Sequence, residues 1–175
     1  GDIAVRYYGE KNHIEALKRT FCRTPEMISC FEEWIGVPYP YGSYSQVAVA
    51  DFVSGGMENT TAPFQTDRVV FDERAALDFD ADGLVSHELG HMWFGDLVTC
   101  RSWDQAWLQE GFATFLEVIW KRHHKGEDEA LYAVLQNRRA YLEEDRGRYR
   151  RPIVTNRYKE PIDLFDRHLY EKASL

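Results

Sequence analysis

The most informative stretch of this sequence is His87-Glu88-Leu89-Gly90-His91, followed further along the chain by Glu110. The residues around this run are mostly apolar and compatible with a helix, so we predict one helix over residues 84–94. Positions i and i+4 of an α-helix lie on the same face. His87 and His91 are therefore placed to bind a single metal ion.

Glu110 is the predicted third ligand of that ion. A catalytic zinc site takes three protein ligands, with histidine and carboxylate among the usual donors, and leaves a fourth position open. Residues 107–120 form a second apolar helix in which Gln109 and Glu110 are polar exceptions, and a buried carboxylate without a partner is costly. Two histidines at this spacing can also be ordinary polar residues on a helix surface, but the apolar flanks and the later glutamate favour the metal site.

Glu88 is the predicted catalytic base. It lies between the two histidines, in the His-Glu-x-x-His pattern of metalloproteases. Zinc lowers the pKa of a water molecule to about 7, and Glu88 is placed to accept the proton that this water loses.

The composition is that of a folded protein. Of the 175 residues, 44% are hydrophobic and 14% aromatic, as expected for a globular domain with a core. The net charge of -8 argues against a nucleic-acid partner, because phosphate binding depends on positive charge. No apolar run approaches the roughly 20 residues of a membrane span.

The cysteines give little sign of disulfides or of a metal cluster. Three cysteines cannot all form disulfides within one chain, and no two of them have Cys-x-x-Cys spacing. We expect reduced structural thiols, and the predicted location is the cytoplasm. The three residues are Cys22, Cys30 and Cys100.

Upstream of the metal helix, the pattern predicts a helical segment over residues 11–23 after a short strand or tail at 3–8. A second helix follows, with Thr24 as its N-cap and Pro25 at its first helical position. Gly36 ends that helix.

Residues 46–53 form the clearest predicted strand, a mostly apolar run of the kind found in covered sheets. Residues 54–59 then break it, and their adjacent glycines taken alone favour a loop or a bulge. Residues 68–71 are a candidate short strand. Asp80 or Asp82 is expected to cap the metal helix.

The second ligand helix ends in a basic turn before Gly126, and residues 127–145 form a further amphipathic helix. The basic run 146–151 is expected to be a solvated linker, and residues 162–175 again have a helical pattern. A metal site at His123 and His124 is a weaker alternative to the first one.

Three ordered motifs resemble the M1 family of zinc aminopeptidases, in the thermolysin-like gluzincin clan. The first resembles the Gly-Ala-Met-Glu-Asn motif of the family, the second its zinc motif and the third its catalytic-tyrosine segment. They are Gly55-Gly56-Met57-Glu58-Asn59, His87 to Asp96 with Glu110 to Ala113, and Tyr170-Glu171-Lys172. The resemblance extends from about residue 24 to residue 175.

The resemblance implies a single metallopeptidase catalytic domain over residues 1–175. Its class would be mixed α/β (α+β), two-lobed and thermolysin-like. A small sheet-containing lobe would take up about residues 1–82 and a helical zinc lobe about 83–175, with one Zn²⁺ in the cleft between them.

The resemblance also assigns substrate contacts. It implies that Glu58 binds the free amino terminus of a peptide, in a substrate-binding segment that continues to Asn59. The backbone of Gly55, Gly56 and Met57 would lie alongside the peptide as an edge strand, which replaces the loop expected from the glycines alone. Tyr170 would donate a hydrogen bond to the oxyanion that forms at the scissile carbonyl.

The function implied is that of a zinc-dependent aminopeptidase acting on peptides with a free N-terminus. The main alternative is an epoxide hydrolase and aminopeptidase of the leukotriene A4 hydrolase type, which shares these motifs. A non-catalytic scaffold is a third possibility, although such relatives lose ligands or the base that this chain keeps.

The chain departs from the family in two residues and in extent. Gly56 stands where the family usually has Ala, and Gln109 stands where it usually has Asn. Family members usually also carry a β-rich N-terminal domain and a helical C-terminal domain. We therefore expect this sequence to be a fragment of a longer protein, in which other domains are its partners, and to be weakly active alone.

Overall fold

The computed structural model describes residues 3–175. They fall into two compact units, of which the first ends at Trp93 and the second begins at Phe94. Helices and one small sheet make up the structure, which confirms the mixed α/β class. The helix that carries His87 and His91 belongs to the first unit. The division into two lobes with a boundary near residue 82 stays a prediction. Within the described residues, no helix has the length and hydrophobicity needed to cross a bilayer.

The sheet of the first unit has four strands in the order β1-β2-β4-β3. The first three in that order are parallel, and β3 at the edge is antiparallel to β4. The strands are β1 (Ala4–Tyr8), β2 (Ser43–Val49), β3 (Gly56–Met57) and β4 (Phe64–Thr66). The strands predicted near residues 3–8 and 46–53 are therefore present, although β2 begins and ends earlier than expected.

The strand predicted at residues 68–71 is wrong. The chain there forms a 3-10 turn, Asp67–Val69, and the strand lies just before it as β4. The hydroxyl of Thr66 accepts a hydrogen bond from the N–H of Arg68 at 3.4 Å. This bond helps to turn the backbone out of the sheet immediately after Thr66.

Three α-helices accompany the sheet: α1 (Ile14–Phe21) after a 3-10 turn, α2 (Thr24–Ile35) and α3 (Asp82–Gly90). Pro25 lies in the first turn of α2, as predicted, and Gly36 ends it with φ 75° while its N–H binds the carbonyl of Glu32. The predicted N-cap is wrong, because Thr24 is already helical. Its buried hydroxyl lies 2.6 Å from Oε1 of Gln46 in the sheet.

An ion pair holds the start of helix α3. Asp82, its first residue, is buried and accepts a hydrogen bond from Nε of Arg23 at 2.8 Å, so it is an ion-pair partner and not a cap. The Asp80 carboxylate accepts the N–H of Asp82 at 3.2 Å. Beyond this point α3 packs against α2. The apolar core around it includes Met27, Ile28, Phe31, Tyr44, Val85, Leu89 and Met92.

The second unit is built on two long helices that pack against each other, α4 (Trp107–Lys125) and α5 (Glu127–Gly147). Gly126 separates them with φ 96°, a conformation that glycine adopts without strain. Both predicted helices and the glycine between them are confirmed. The core of this unit includes Ala113, Leu116, Ile119, Trp120, Ala130, Leu164 and Leu169.

The last part of the chain departs from the sequence-based expectation. Residues 162–175 form a 3-10 turn, Pro161–Leu164, and then a series of turns, not a regular helix. The basic run 146–151 is not simply a solvated linker, because the Arg151 side chain is only 11% exposed and pairs with Asp166 at 2.6 Å. In the first case the carboxylate of Asp166 accepts the backbone N–H groups of His168 and Leu169, at 2.9 and 3.0 Å, where a continuous helix would place carbonyl oxygens. In the second case the ion pair buries one cation of the basic run.

Candidate active site

Helix α3 brings its two histidines together. The Nε2 atoms of His87 and His91 are 3.2 Å apart, and His91 is almost completely buried. The N–H of His91 still bonds to the carbonyl of His87 at 3.3 Å, so the helical geometry extends to the second histidine although α3 ends at Gly90. Two imidazole nitrogens directed at one point are what a shared metal ion requires.

Glu88 lies in the same buried region of the first unit. Its side chain is 4% exposed. One carboxylate oxygen from each of Glu88 and Glu58 and one ring nitrogen of His91 lie within 4.8 Å of one another. The structure thus groups the predicted base, the predicted amine-binding residue and one predicted metal ligand.

Strand β3 comes extremely close to Glu88. A Cβ atom added at Gly56 would overlap the carboxylate of Glu88, far inside van der Waals contact. At Gly55 the same addition would meet only the end of the Leu84 side chain, at 3.4 Å. The absence of a side chain at position 56 is therefore what lets this carboxylate lie against the strand.

The segment predicted to bind substrate is partly an edge strand. Gly56 and Met57 form β3 at the end of the sheet, and each pairs with a residue of β4 on one side. Glu58 follows directly and is partly exposed, and the N–H of Asn59 turns back to the carbonyl of Met57 at 2.9 Å. The edge-strand prediction is confirmed for these two residues, whereas Gly55 lies just outside the strand. The substrate contacts stay a prediction.

In the second unit, Glu110 occupies the first turn of α4 and is 7% exposed. The N-terminal end of a helix carries partial positive charge, which favours a carboxylate. Gln109, the other polar exception in this apolar helix, has a local role. Its side-chain oxygen accepts the N–H of Cys100 at 3.2 Å and so holds the preceding loop to the helix.

Tyr170 lies in the irregular last segment of the second unit and is half-buried. Its ring is 6.3 Å from that of Phe165. The neighbouring Ala173 packs against Gly111, where an added Cβ would come within 2.6 Å of the alanine methyl. This close packing holds the Tyr170 segment against the first turn of α4, next to Glu110.

The weaker metal alternative has no support in the structure. The rings of His123 and His124 both stack on Trp120, with centroids 5.6 and 5.1 Å away. Neither residue belongs to any group of close metal-ligand side chains in the part of the chain described.

Comparisons with known proteins agree with this geometry. Residues 19–175 match the profile of the Peptidase family M1 domain. Aminopeptidase M1-A of Oryza sativa subsp. japonica is 41% identical over 93 residues, covering 51% of this chain and 11% of that protein. Endoplasmic reticulum aminopeptidase 1 of Mus musculus is 36% identical over 121 residues, covering 67% of this chain and 13% of that protein.

A solved structure is also similar over almost the whole chain. The structure of yeast LTA4 hydrolase in complex with bestatin matches with a TM-score of 0.83 and 26% sequence identity, covering 96% of this chain and 27% of that one. This match confirms the thermolysin-like arrangement of a small sheet with helices. The chain spans less than a third of the length of each of these three proteins.

Proposed function

This chain belongs to peptidase family M1, and on that basis we propose that it is the catalytic part of a zinc-dependent aminopeptidase that cleaves the N-terminal bond of peptides. The observation that carries the proposal is the pair of Nε2 atoms of His87 and His91, 3.2 Å apart beside the buried Glu88. Relatives named aminopeptidases support the same activity.

The donor set fits zinc. Two imidazole nitrogens and one carboxylate are a known ligand set for catalytic zinc, and His87, His91 and Glu110 would supply them. Zinc in such a site lowers the pKa of a water molecule to about 7 and polarises a substrate carbonyl. A single ion would also account for the burial of two ionisable side chains, His91 and Glu110.

Glu88 would act as general base and then as general acid. Its carboxylate would accept a proton from the attacking water and later pass that proton to the leaving amine. Burial in the first unit and close packing against β3 limit the positions that the carboxylate can take. A proton acceptor held in one place loses little orientational freedom during the reaction.

Glu58 would bind the positively charged amino terminus of the substrate. It follows β3 directly, so a peptide lying along that edge strand would place its first residue beside this carboxylate. A charge-assisted hydrogen bond to an ammonium group is about twice as strong as a neutral one. Gly55, Gly56, Met57 and Asn59 would contribute backbone and side-chain contacts along the same edge.

Tyr170 would donate its hydroxyl hydrogen to the oxyanion that forms when water attacks the carbonyl. Such a donor stabilises charge that exists only in the transition state, and this raises the rate without tightening substrate binding. The other domains expected in the longer protein would complete the substrate site. The cytoplasm stays the predicted location.

The experiment that tests this function compares leucine p-nitroanilide with its N-acetylated form as substrates of the zinc-loaded full-length enzyme. We expect hydrolysis of the free-amine substrate only. Glu58→Gln should raise KM for that substrate, because it removes the charge that binds the ammonium. Equal cleavage of both substrates would contradict an aminopeptidase.

A second candidate function is favoured by the match to yeast LTA4 hydrolase. A lipid epoxide could be opened by the same water and the same base. Incubation of the enzyme with leukotriene A4, followed by chromatography of the products, would test this. An enzymatic dihydroxy acid that disappears with Glu88→Gln would favour the epoxide hydrolase, and its absence would leave the peptidase alone.

A further inference from the structure

Tyr170 lies in a segment whose backbone bonds to the side chain of Asp166. We call residues 165–174 the Tyr170 turn. The Asp166 carboxylate accepts the backbone N–H groups of His168 at 2.9 Å and Leu169 at 3.0 Å, and its own carbonyl accepts the N–H of Tyr170 at 3.3 Å. Asp166 thus bonds to each of the three residues at and before the tyrosine.

Asp166 is itself held by two residues from the preceding loop. Arg151 donates from Nη2 to Oδ1 at 2.6 Å and from Nε to Oδ2 at 2.8 Å, which is a bidentate pair. The hydroxyl of Tyr149 donates to Oδ2 at 2.5 Å. We call Tyr149, Arg151 and Asp166 the clamp.

The clamp is buried and charged. The side chains of Arg151 and Asp166 are 11% and 2% exposed. Burial by itself would raise the pKa of Asp166, but the hydrogen bonds from Arg151 and Tyr149 outweigh it and hold this pKa below its ordinary value. Arg151 also donates to the carbonyl of Leu164, just before the Tyr170 turn. Both ends of the ion pair are therefore tied to backbone.

The clamp is not a second metal site. Glu144, Asp166 and His168 have ligand-type atoms within 4.8 Å of one another. However, the two Asp166 oxygens already accept hydrogen bonds from Arg151, from Tyr149 and from two backbone N–H groups. No lone pair is left for a cation, and the guanidinium already balances the charge.

A buried ion pair is a poor way to gain stability, because the cost of removing two charges from water offsets most of their attraction. It does fix geometry, since a bidentate pair has one preferred arrangement. The Tyr170 turn has a few backbone bonds of its own, such as that from the N–H of Ser174 to the carbonyl of Tyr170 at 3.1 Å, but not the continuous series of a helix. The clamp fixes the backbone conformation directly at Tyr170.

We propose that Tyr149, Arg151 and Asp166 are positioning residues that hold the Tyr170 hydroxyl where it can meet the oxyanion. The inference rests on the proposed function, because it needs Tyr170 to act in catalysis. Tyr149 acts through Asp166 and the backbone and does not touch the substrate. Its loss should lower kcat and leave KM unchanged.

The test is Tyr149→Phe, which removes one hydrogen bond of the clamp and keeps the ring. It is made alone and together with Tyr170→Phe, in the zinc-loaded full-length enzyme. Tyr132→Phe is the matched control, since Tyr132 is an exposed tyrosine of the same unit. Misplacing a catalytic group by a fraction of an ångström should lower kcat about tenfold. We expect that loss for Tyr149→Phe when Tyr170 is present, less than about twofold when Tyr170 is replaced, and no loss for the control.

An equal loss of kcat in both backgrounds would overturn the positioning role, because a general structural defect does not depend on the Tyr170 hydroxyl. Full activity of Tyr149→Phe would overturn it too. If Tyr170→Phe itself keeps full activity, the catalytic role of Tyr170 fails, and this outcome is separate from the other two.

A readout without activity is hydrogen–deuterium exchange of the metal-free protein. Tyr149→Phe should speed exchange of the amides of the Tyr170 turn, and the control should not. If Tyr149→Phe does not fold, Arg151→Lys takes its place, alone and together with Tyr170→Phe. This substitution keeps the charge but loses the bidentate geometry. Unchanged exchange and unchanged kcat in that variant would overturn the proposal.

Discussion

Helix α3 and the Tyr170 turn each carry residues of the proposed active site, but they hold them by different means. In α3 the spacing of His87 and His91 follows from the helical repeat, and the N–H of His91 still bonds to the carbonyl of His87. In the Tyr170 turn the backbone N–H groups of His168 and Leu169 bond to the side chain of Asp166, which Arg151 of the preceding loop holds.

The difference predicts how each region responds to change. A helix distributes its stability over many equivalent bonds, so replacing one functional side chain of α3 should leave the fold intact. The Tyr170 turn depends on a few charged groups, so replacing one of them should disturb both stability and geometry. Substitutions in the two regions should separate these two kinds of response.

The largest effect is expected in α3. Glu88→Gln removes the base and keeps the size of the side chain, so kcat should fall about 10³-fold. Zinc content and unfolding temperature should stay unchanged, as measured by elemental analysis and calorimetry. Normal turnover in this variant would refute the role of Glu88 as base.

The next effect is on stability and belongs to the Tyr170 turn. Asp166→Asn leaves the buried Arg151 without its counter-charge, which should destabilise the protein by about 3 kcal/mol near neutral pH. Denaturant unfolding of variant and wild type would measure this difference.

The same substitution gives a pH test. The pKa of Asp166 is lowered in the folded state, so its contribution is present at neutral pH and is lost as the pH falls through that lowered value. The stabilities of variant and wild type should therefore begin to converge below the ordinary aspartate pKa of about 3.9 and should coincide only below the lowered pKa of Asp166. A difference that stays constant on acidification would contradict the ionised clamp.

A smaller effect on catalysis is expected for Tyr170→Phe. Loss of one donor to the oxyanion should lower kcat about 10²-fold, with KM unchanged. Steady-state kinetics with a free-amine anilide would show it, with Tyr132→Phe as the control. A change in KM alone would assign Tyr170 to substrate binding instead.

The smallest effect is expected at the edge strand. Gly56→Ala would place a methyl group on the Glu88 carboxylate, which must then move. Because the family usually has Ala at this position, we expect the carboxylate to move at moderate cost, with a loss of kcat smaller than about tenfold and the fold intact. Gly42→Ala is the matched control, because an added Cβ there meets no atom within 4 Å. Wild-type kcat for Gly56→Ala would show that the carboxylate has room to shift without cost.

The regular parts of this molecule could be predicted from the sequence, and so could the close approach of the two histidines on one helix. The histidine pair followed from helical spacing, and Gly36 and Gly126 marked helix ends that the structure confirms. Strand β4 was missed because a strand of three residues is too short to show an alternation of apolar and polar side chains. The close approach of Gly56 to Glu88 joins two elements that are distant in sequence, and no local pattern contains it.

The Tyr170 turn could not be predicted from local pattern. Its residues have helical composition, yet an ion pair between residues 151 and 166 determines its shape. The basic run around Arg151 has the composition of a solvated linker, since composition does not reveal which cation is buried. Tyr170 itself was assigned only through the family resemblance.

The zinc site can be tested by elemental analysis, which measures the zinc content of purified wild-type protein and of His91→Ala, Glu110→Ala and His123→Ala. We predict one zinc per chain in the wild type and in His123→Ala, and its loss in the other two variants. Zinc retained by both His91→Ala and Glu110→Ala, or absent from the wild type, would contradict a zinc aminopeptidase built on these residues.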